Sequence, residues 1–290
     1  MSDLSTLAQA LANGVLRSGL YGLTSVGLAL SVGVIGIVNF AHGEFLMFGA
    51  YLGAFLFLTW RLDPLLSFPL AAAALFALGV LLYRFSIKRV LRSAEINQML
   101  FTFALSVIFQ NVALILWSGD PIAINVPYRS VSLHLGIINL GLARLVGFLL
   151  AAFLILLLYL MLSRTAVGRA MRAVSQNRMA AGLVGIEVET VYASTFGLSA
   201  ALAGVAGVTL GMVLYAEPTI GMHFTLKAFC IVVLAGLGNI NGVLWGSLLL
   251  GVTESLVGTY IPNGTGWAES VFFILILAVL LARPRQVMES

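Results

Sequence analysis

Nine apolar runs, at residues 12–35, 43–60, 66–84, 97–117, 141–162, 191–214, 225–237, 241–260 and 267–282, take up most of the chain and hold almost no charge. A membrane-spanning helix needs about 20 predominantly apolar residues, and most of these runs reach or approach that length. Only 9% of the residues are charged, where a soluble domain carries roughly 25%, so there is too little charge to solvate a globule of this size. In lipid, only helices and closed barrels satisfy their own backbone. The runs are continuous rather than alternating segments of about 10 residues, which selects helices over a barrel. The expectation is an all-α membrane protein, one transmembrane domain over residues 1–290, with about eight transmembrane helices and short broken segments. Asp3 stands in the opening stretch and no basic n-region precedes the first run, so no cleavable signal peptide is expected. Cys230, the one cysteine, has no intrachain partner, which removes a disulfide or cysteine-based metal site; no metal site of another kind is expected.

Charge at the ends of the runs gives an orientation. Arg84, Lys88, Arg89 and Arg92 form one basic cluster, Arg164, Arg169, Arg172 and Arg178 a second, and Arg283 and Arg285 follow the last run. These hold 10 of the 15 Lys and Arg residues, and the positive-inside bias puts them in the cytoplasm. Two runs separate the first two clusters, as one side requires. An even number of crossings back to the C-terminus then asks for two short pieces within 225–260. The C-terminus falls in the cytoplasm and the N-terminus outside, against the minor objection of Arg17, Arg61, Arg129 and Arg144 near the outer ends. Gly119 to Asn139, with two prolines, Asp120, Asn125, Arg129 and His134, reads as an external loop, a solvated connector or a contact for an external protein. Glu217-Pro218 and His223 are expected in a short outer connection.

Two breaks interrupt the apolar pattern. Gly36-Ile37-Val38-Asn39-Phe40-Ala41-His42-Gly43-Glu44 and Gly236-Leu237-Gly238-Asn239-Ile240-Asn241-Gly242 share a Gly-x-x-Asn core with apolar runs on each side. Irregular backbone at membrane depth is tolerated where it is enclosed by protein or lines a cavity, and paired breaks in two halves point to a transport pathway. Internal duplication is one reading, plain turns at the membrane surface the other. Asn39, His42, Glu44, Asn239, Asn241 and Glu254 are the pathway candidates, ionisable groups at membrane depth being functional by default. For His42 and Glu44 a capping or other structural role stands beside substrate contact, and for Glu254 and Lys227 a buried hydrogen bond does. Gly197, Ala201, Gly204, Gly207 and Gly211 recur at three- and four-residue steps, a face for close helix packing, and Gly238, Gly242 and Gly246 repeat the theme.

Residues 164–190 are too polar to span and too patterned for a loose loop. Met171, Val174 and Met179 punctuate the segment, and Asn177 is placed to cap a short helix over 178–184. Such a helix suits a partner's groove or lies on acidic headgroups through its arginines.

Within this segment Ala180-Ala181-x-x-x-Gly185 resembles the second half of the Glu-Ala-Ala loop, the ATPase-docking motif of ABC importer permeases. Gly168-Arg169-Ala170-Met171-Arg172-Ala173-Val174-Ser175-Gln176-Asn177-Arg178 with Gly185-Ile186, the 36–44 break, Lys227-Ala228-Phe229 leading into Gly236–Asn239, and the closing Arg283-Pro284 are similar to the branched-chain amino-acid (Liv-type) permease family across nearly the whole chain. Met179 stands where that motif usually has glutamate, so docking here would rest on shape and apolar burial. The resemblance implies an inverted-repeat ABC importer permease core. It implies a homologous second permease, two cytoplasmic ATP-binding subunits and an external substrate-binding protein as partners, in a bacterial inner membrane, with lipid around the chain and no nucleic acid. Arg169, Arg172, Asn177, Arg178, Met179, Ala180, Ala181 and Gly185 would form the ATPase-coupling segment. The chain has no Gly-x-x-x-x-Gly-Lys phosphate loop and only two lysines, Lys88 and Lys227, neither after a glycine; ATP and Mg would be bound by the partner subunits, and the chain itself is expected to be no enzyme. The function expected is ATP-driven import of branched-chain or related small amino acids by alternating access. Urea or short amides are the alternative within the family. An ion-coupled carrier using Glu44, Glu254 or His42 is the alternative outside it.

Overall fold

In the computed structural model, residues 3–236 and 238–282 are described; Leu237, the basic pair Arg283 and Arg285, and the closing Arg283-Pro284 lie outside them. Helix α1 (Asp3–Ile35) has 33 residues, about 50 Å against a hydrocarbon core of about 30 Å. The surplus is its first turns, Asp3–Leu11, which the apolar pattern alone does not assign to a helix. A break leads to α2 (His42–Trp60), which ends on Arg61 in the left-handed region (φ 53°). Helix α3 (Pro64–Leu82) starts with Pro64 at its first position and the Asp63 carboxylate accepting from Leu65 N–H, the arrangement that fixes a sharp helix start. It continues through a π-turn (Tyr83–Ile87) into the short α4 (Lys88–Val90), and α5 (Glu95–Trp117) follows.

The loop after α5, read from the sequence as an external connector, carries secondary structure of its own. It contains a hairpin of β1 (Ser132–Leu135) and β2 (Ile138–Gly141), antiparallel with Leu135 opposite Ile138, and Gly136 at φ 61° supplies the turn. Then come α6 (Leu142–Arg164), α7 (Ala166–Gln176), α8 (Arg178–Leu183), α9 (Val188–Val213), α10 (Ile220–Ala235), α11 (Ile240–Tyr260) and α12 (Gly264–Ala282). The 225–260 region is two helices, as parity required. His223 lies in the first turn of α10 rather than in the connection before it, because the chain turns at Glu217-Pro218 and is helical two residues after Pro218. Among the described residues seven helices are long and apolar enough to cross a membrane, and α10 is a shorter apolar helix beside them.

Burial ranks these helices radially. The apolar window of α9 is 89% buried and that of α1 83%, whereas α5 and α6 are each 17% buried. So α9 and α1 form the axis, and α5 and α6 present apolar side chains such as Ile115 and Phe153 outward. Lipid tails are as apolar as these side chains, so the axis is held by close packing rather than by a hydrophobic drive between helices. The glycine face of α9 supplies it. A Cβ at Gly207 would overlap the Leu46 carbonyl of α2, and one at Gly49 of α2 would overlap the backbone of Gly204. Gly207→Leu should therefore part α2 from α9 and destabilise the chain by about 3 kcal/mol, read as a lowered thermal midpoint in detergent. An unchanged midpoint would remove this contact from the fold's supports.

The two ends of the bundle are chemically distinct. At one, Lys88 pairs with Glu189 at 3.3 Å and Tyr83 donates to the same carboxylate at 3.1 Å, joining the Arg84–Arg92 cluster to the start of α9 and the segment before it. At the other, Gln9 and the backbone of Asn139 exchange two hydrogen bonds, at 2.9 and 2.7 Å. There too Arg129 donates to the Leu214 carbonyl at 2.9 Å, Ile122 bridges to Ala216, and Tyr128 donates to Asp63 at 3.0 Å. Burial, followed by that bond, holds the Tyr128 hydroxyl above the ordinary tyrosine range. The loop is thus a lid fastened onto the ends of α1, α2 and α9.

Candidate functional site

The two breaks share a backbone device. Gly36 and Gly236 leave their helices at φ 80° and 85°, a conformation that costs an L-residue about 1–2 kcal/mol and glycine little. An asparagine three residues later then accepts a backbone N–H in each, closing a turn within the first break and capping α11 after the second. Asn39 Oδ1 accepts from Ala41 N–H at 3.0 Å, and Asn239 Oδ1 accepts from Gly242 N–H at 3.1 Å. The second break packs on the helix that leads into the first: a Cβ at Gly33 of α1 would sit 2.8 Å from Gly238 Cα.

Their surroundings differ. The first break is sealed. Asn39, His42 and Glu44 are buried, and neighbouring helices satisfy the freed backbone. Phe40 N–H donates to Thr102 Oγ1 of α5 at 3.2 Å and Gly43 N–H to Thr225 Oγ1 of α10 at 2.8 Å. His42 Nε2 lies 2.9 Å from the Thr24 carbonyl of α1, with Ser199 of α9 at 3.4 Å from its other ring nitrogen. Glu44 does not cap α2. Its Oε1 accepts from Ser106 at 2.7 Å and Gln110 at 2.9 Å, both on α5, and its Oε2 is buried without a hydrogen-bond partner among the described residues. Asn39, His42 and Glu44 thus sit in one polar seam at the helix crossing. Thr102, Ser106, Gln110 and Thr225 complete it; the sequence reading missed them, since a lone Thr or Ser in an apolar run carries no local signal of its distant partner.

The second break is open. Asn239 and Asn241 line a cavity of about 620 Å³ with Gly33 and Val34 of α1, Ser163 of α6 and Arg172 of α7. The cavity lies at the basic end. Glu254 belongs to neither break. It pairs with Lys227 at 3.2 Å and accepts from the Tyr21 hydroxyl, with Arg17 at 4.0 Å.

The 164–190 segment closes the basic end. Thr165 caps α7 through Gly168 N–H at 3.1 Å, and Gly168, Met171 and Val174 turn to the core. Asn177 Oδ1 accepts from both Met179 and Ala180 N–H at 3.0 Å, starting α8. Gly185, at φ 86°, ends it with the two bonds of a Schellman turn, Ile186 N–H to Ala181 and Gly185 N–H to Gly182. Ala181 faces the core, while Met179, Leu183 and Val184 stand 77%, 85% and 77% exposed. Arg169, Arg172, Arg178 and Ala180 are exposed beside them, and Arg178 with Asn177 also lines a second cavity against residues 32–36. The result is a small apolar knob, capped by Asn177 at its start and closed at Gly185, with Arg178 exposed in its first turn.

Among the described residues no group of three His, Cys, Asp or Glu is placed to hold a metal ion. The family model described as the permease component of branched-chain amino acid transport systems matches residues 10–280. The chain is 32% identical to the high-affinity branched-chain amino acid transport system permease protein BraD of Pseudomonas aeruginosa, covering 98% of this chain and 96% of that protein. It is 33% identical to the corresponding permease protein LivH of Escherichia coli, over 95% and 93%. It is 28% identical to a probable branched-chain amino acid transport permease of Methanocaldococcus jannaschii, over 94% and 90%. No solved structure matches. A helical bundle with paired backbone breaks, one sealed and one lining a cavity, together with this likeness over nearly its full length, places the chain in the permease-component family of branched-chain amino acid transport systems.

Proposed function

We propose that the chain forms one half of the solute path of an ATP-driven importer for branched-chain or related small amino acids in a bacterial inner membrane, and that α7 and α8 dock a cytoplasmic ATPase. The observation that carries this is the knob of Met179, Leu183 and Val184. Capped by Asn177 and closed at Gly185, it offers apolar area that α8 does not bury within the chain. Such a helix end fits a groove. Alternating access would be driven through α7, which is buried against the bundle by Met171 and Val174 and reaches the Asn239–Asn241 cavity through Arg172. A homologous second permease and an external binding protein would complete the assembly, and ATP with Mg would be held by the ATPase subunits.

Purification of the tagged chain in mild detergent tests this. Co-purification of a second permease and two ATP-binding proteins is the expected result. Recovery of a well-folded chain alone would shift the reading to an ion-coupled carrier, whose transport would stop with an uncoupler and ignore ATP. Orientation is tested separately. In a Cys230→Ala background, Lys88→Cys and Arg178→Cys should react with an impermeant maleimide only from the cytoplasmic face, and His134→Cys only from outside; the reverse pattern would invert the topology.

A further inference from the structure

Toward the hairpin end, a cavity of about 190 Å³ lies between α1, α6, α9, α10 and α11. Arg17, Arg144, Lys227 and Glu254 face it, and Leu20, Val213 and Phe224 supply apolar wall. Three cations therefore meet one carboxylate. That carboxylate is engaged: Lys227 donates to one oxygen at 3.2 Å, and the Tyr21 hydroxyl donates to the other. The Lys227 ammonium stands 5.3 Å from the Tyr21 ring centroid, with 12% of its side chain exposed, so the pair is nearly withdrawn from solvent. Arg17 reaches Glu254 only at 4.0 Å, with 44% of its side chain exposed. Among the described residues no carboxylate forms an ion pair with Arg144.

Positive charge in surplus beside an apolar wall is costly unless an anion answers it. Guanidinium groups answer a carboxylate best, through charge-assisted and often paired hydrogen bonds. Glu254 adds the second requirement. Its negative charge disfavours a multiply charged phosphate and balances an ammonium held near the carboxylate. We propose that this cavity is a binding station for an apolar α-amino acid. Arg17 and Arg144 take the α-carboxylate, the Lys227–Glu254 pair faces the ammonium, and Leu20, Val213 and Phe224 enclose the side chain. This inference rests on the importer reading and adds to it a solute-binding site within the permease itself.

The test uses the complete importer in proteoliposomes, with Val213→Cys in a Cys230→Ala background. At leucine concentrations several times the dissociation constant, labelling of the cysteine by a small maleimide should slow about fivefold by mass action. Leucinamide, which keeps the ammonium and side chain but lacks the carboxylate, should leave the rate unchanged. Arg144→Gln should abolish protection by leucine, its labelling rate with leucine equalling its own rate without leucine. No protection by leucine, or equal protection by leucinamide, overturns the site. ATP-driven leucine uptake in the same vesicles judges the importer reading separately: uptake without protection removes the station and leaves the importer.

Discussion

Leu183→Glu is expected to cut ATP-driven uptake by at least about tenfold and to release the ATPase subunits during purification, while the chain folds as before. Leu183 is 85% exposed, so a carboxylate there meets water in the isolated chain and costs the fold almost nothing. In a docked groove the same carboxylate would be buried without a partner. An apolar anchor at an interface centre is worth about 2 kcal/mol or more, roughly 30-fold in affinity. Gly185→Val should act on the same interface by a different route. No heavy atom lies within 4 Å of where its Cβ would stand, so the obstacle is the backbone at φ 86°, which a β-branched residue resists. The Schellman turn would open and α8 would fray toward Ala181. Gly185→Asn, which tolerates that backbone better, should retain more uptake than Gly185→Val. Arg178→Gln, a rim charge, should lower uptake far less than Leu183→Glu. Wild-type uptake and subunit recovery for both Leu183→Glu and Gly185→Val would show that α8 is not the docking element.

This apolar knob was half legible in the sequence. Asn177 as the cap of a helix over 178–184 could be read from the residues, because capping is a local property of the backbone, whereas Gly185 entered only through the resemblance to the docking motif. That Met179 points away from the core while Met171 points into it could not, since the chain kinks at Asn177 and the helical phase of α7 does not carry into α8. The same division holds elsewhere. The runs 43–60 and 97–117 anticipated α2 and α5 almost to the residue, because lipid imposes length and hydropathy on each span separately. The first turns of α1 escaped, because Gln9 and its neighbours stand beyond the apolar stretch and are held by the loop that ends in β2. The hairpin escaped although Ser132–Leu135 and residues 138–140 alternate polar and apolar residues, because each strand is only four residues long and the period is too short to stand out within a loop. Arg17 and Arg144, which count against the charge bias in the sequence, line one cavity with Lys227 and Glu254, a meeting of α1, α6, α10 and α11 that no local pattern announces.

The two breaks read alike in sequence, and substitution should separate them. Asn39→Leu should lose most of the folded protein, whereas Asn239→Leu should fold and transport poorly. Asn39 is buried, and its Oδ1 is the acceptor for Ala41 N–H. Leucine would leave that N–H unpaired in a dry site, at about 1–3 kcal/mol, and would force extra apolar volume between α1 and α5, where Thr102 must still reach Val38 and Phe40. Asn39→Asp keeps the acceptor and should restore much of the yield. Asn239 also accepts a backbone N–H, as the N-cap of α11, but it is exposed to the 620 Å³ cavity. Water can replace its oxygen there, and losing the cap should cost about 1 kcal/mol. What Asn239→Leu removes instead is polar wall beside Arg172 and Asn241, on the surface where α7 meets the cavity. Its yield and ATPase recovery should match wild type while uptake falls severalfold. Equal yields and equal uptake for both leucine variants would mean that neither break is more than a turn. The opposite ordering, with Asn239→Leu unfolded and Asn39→Leu competent, would place the sealed crossing at the second break and the solute route at the first.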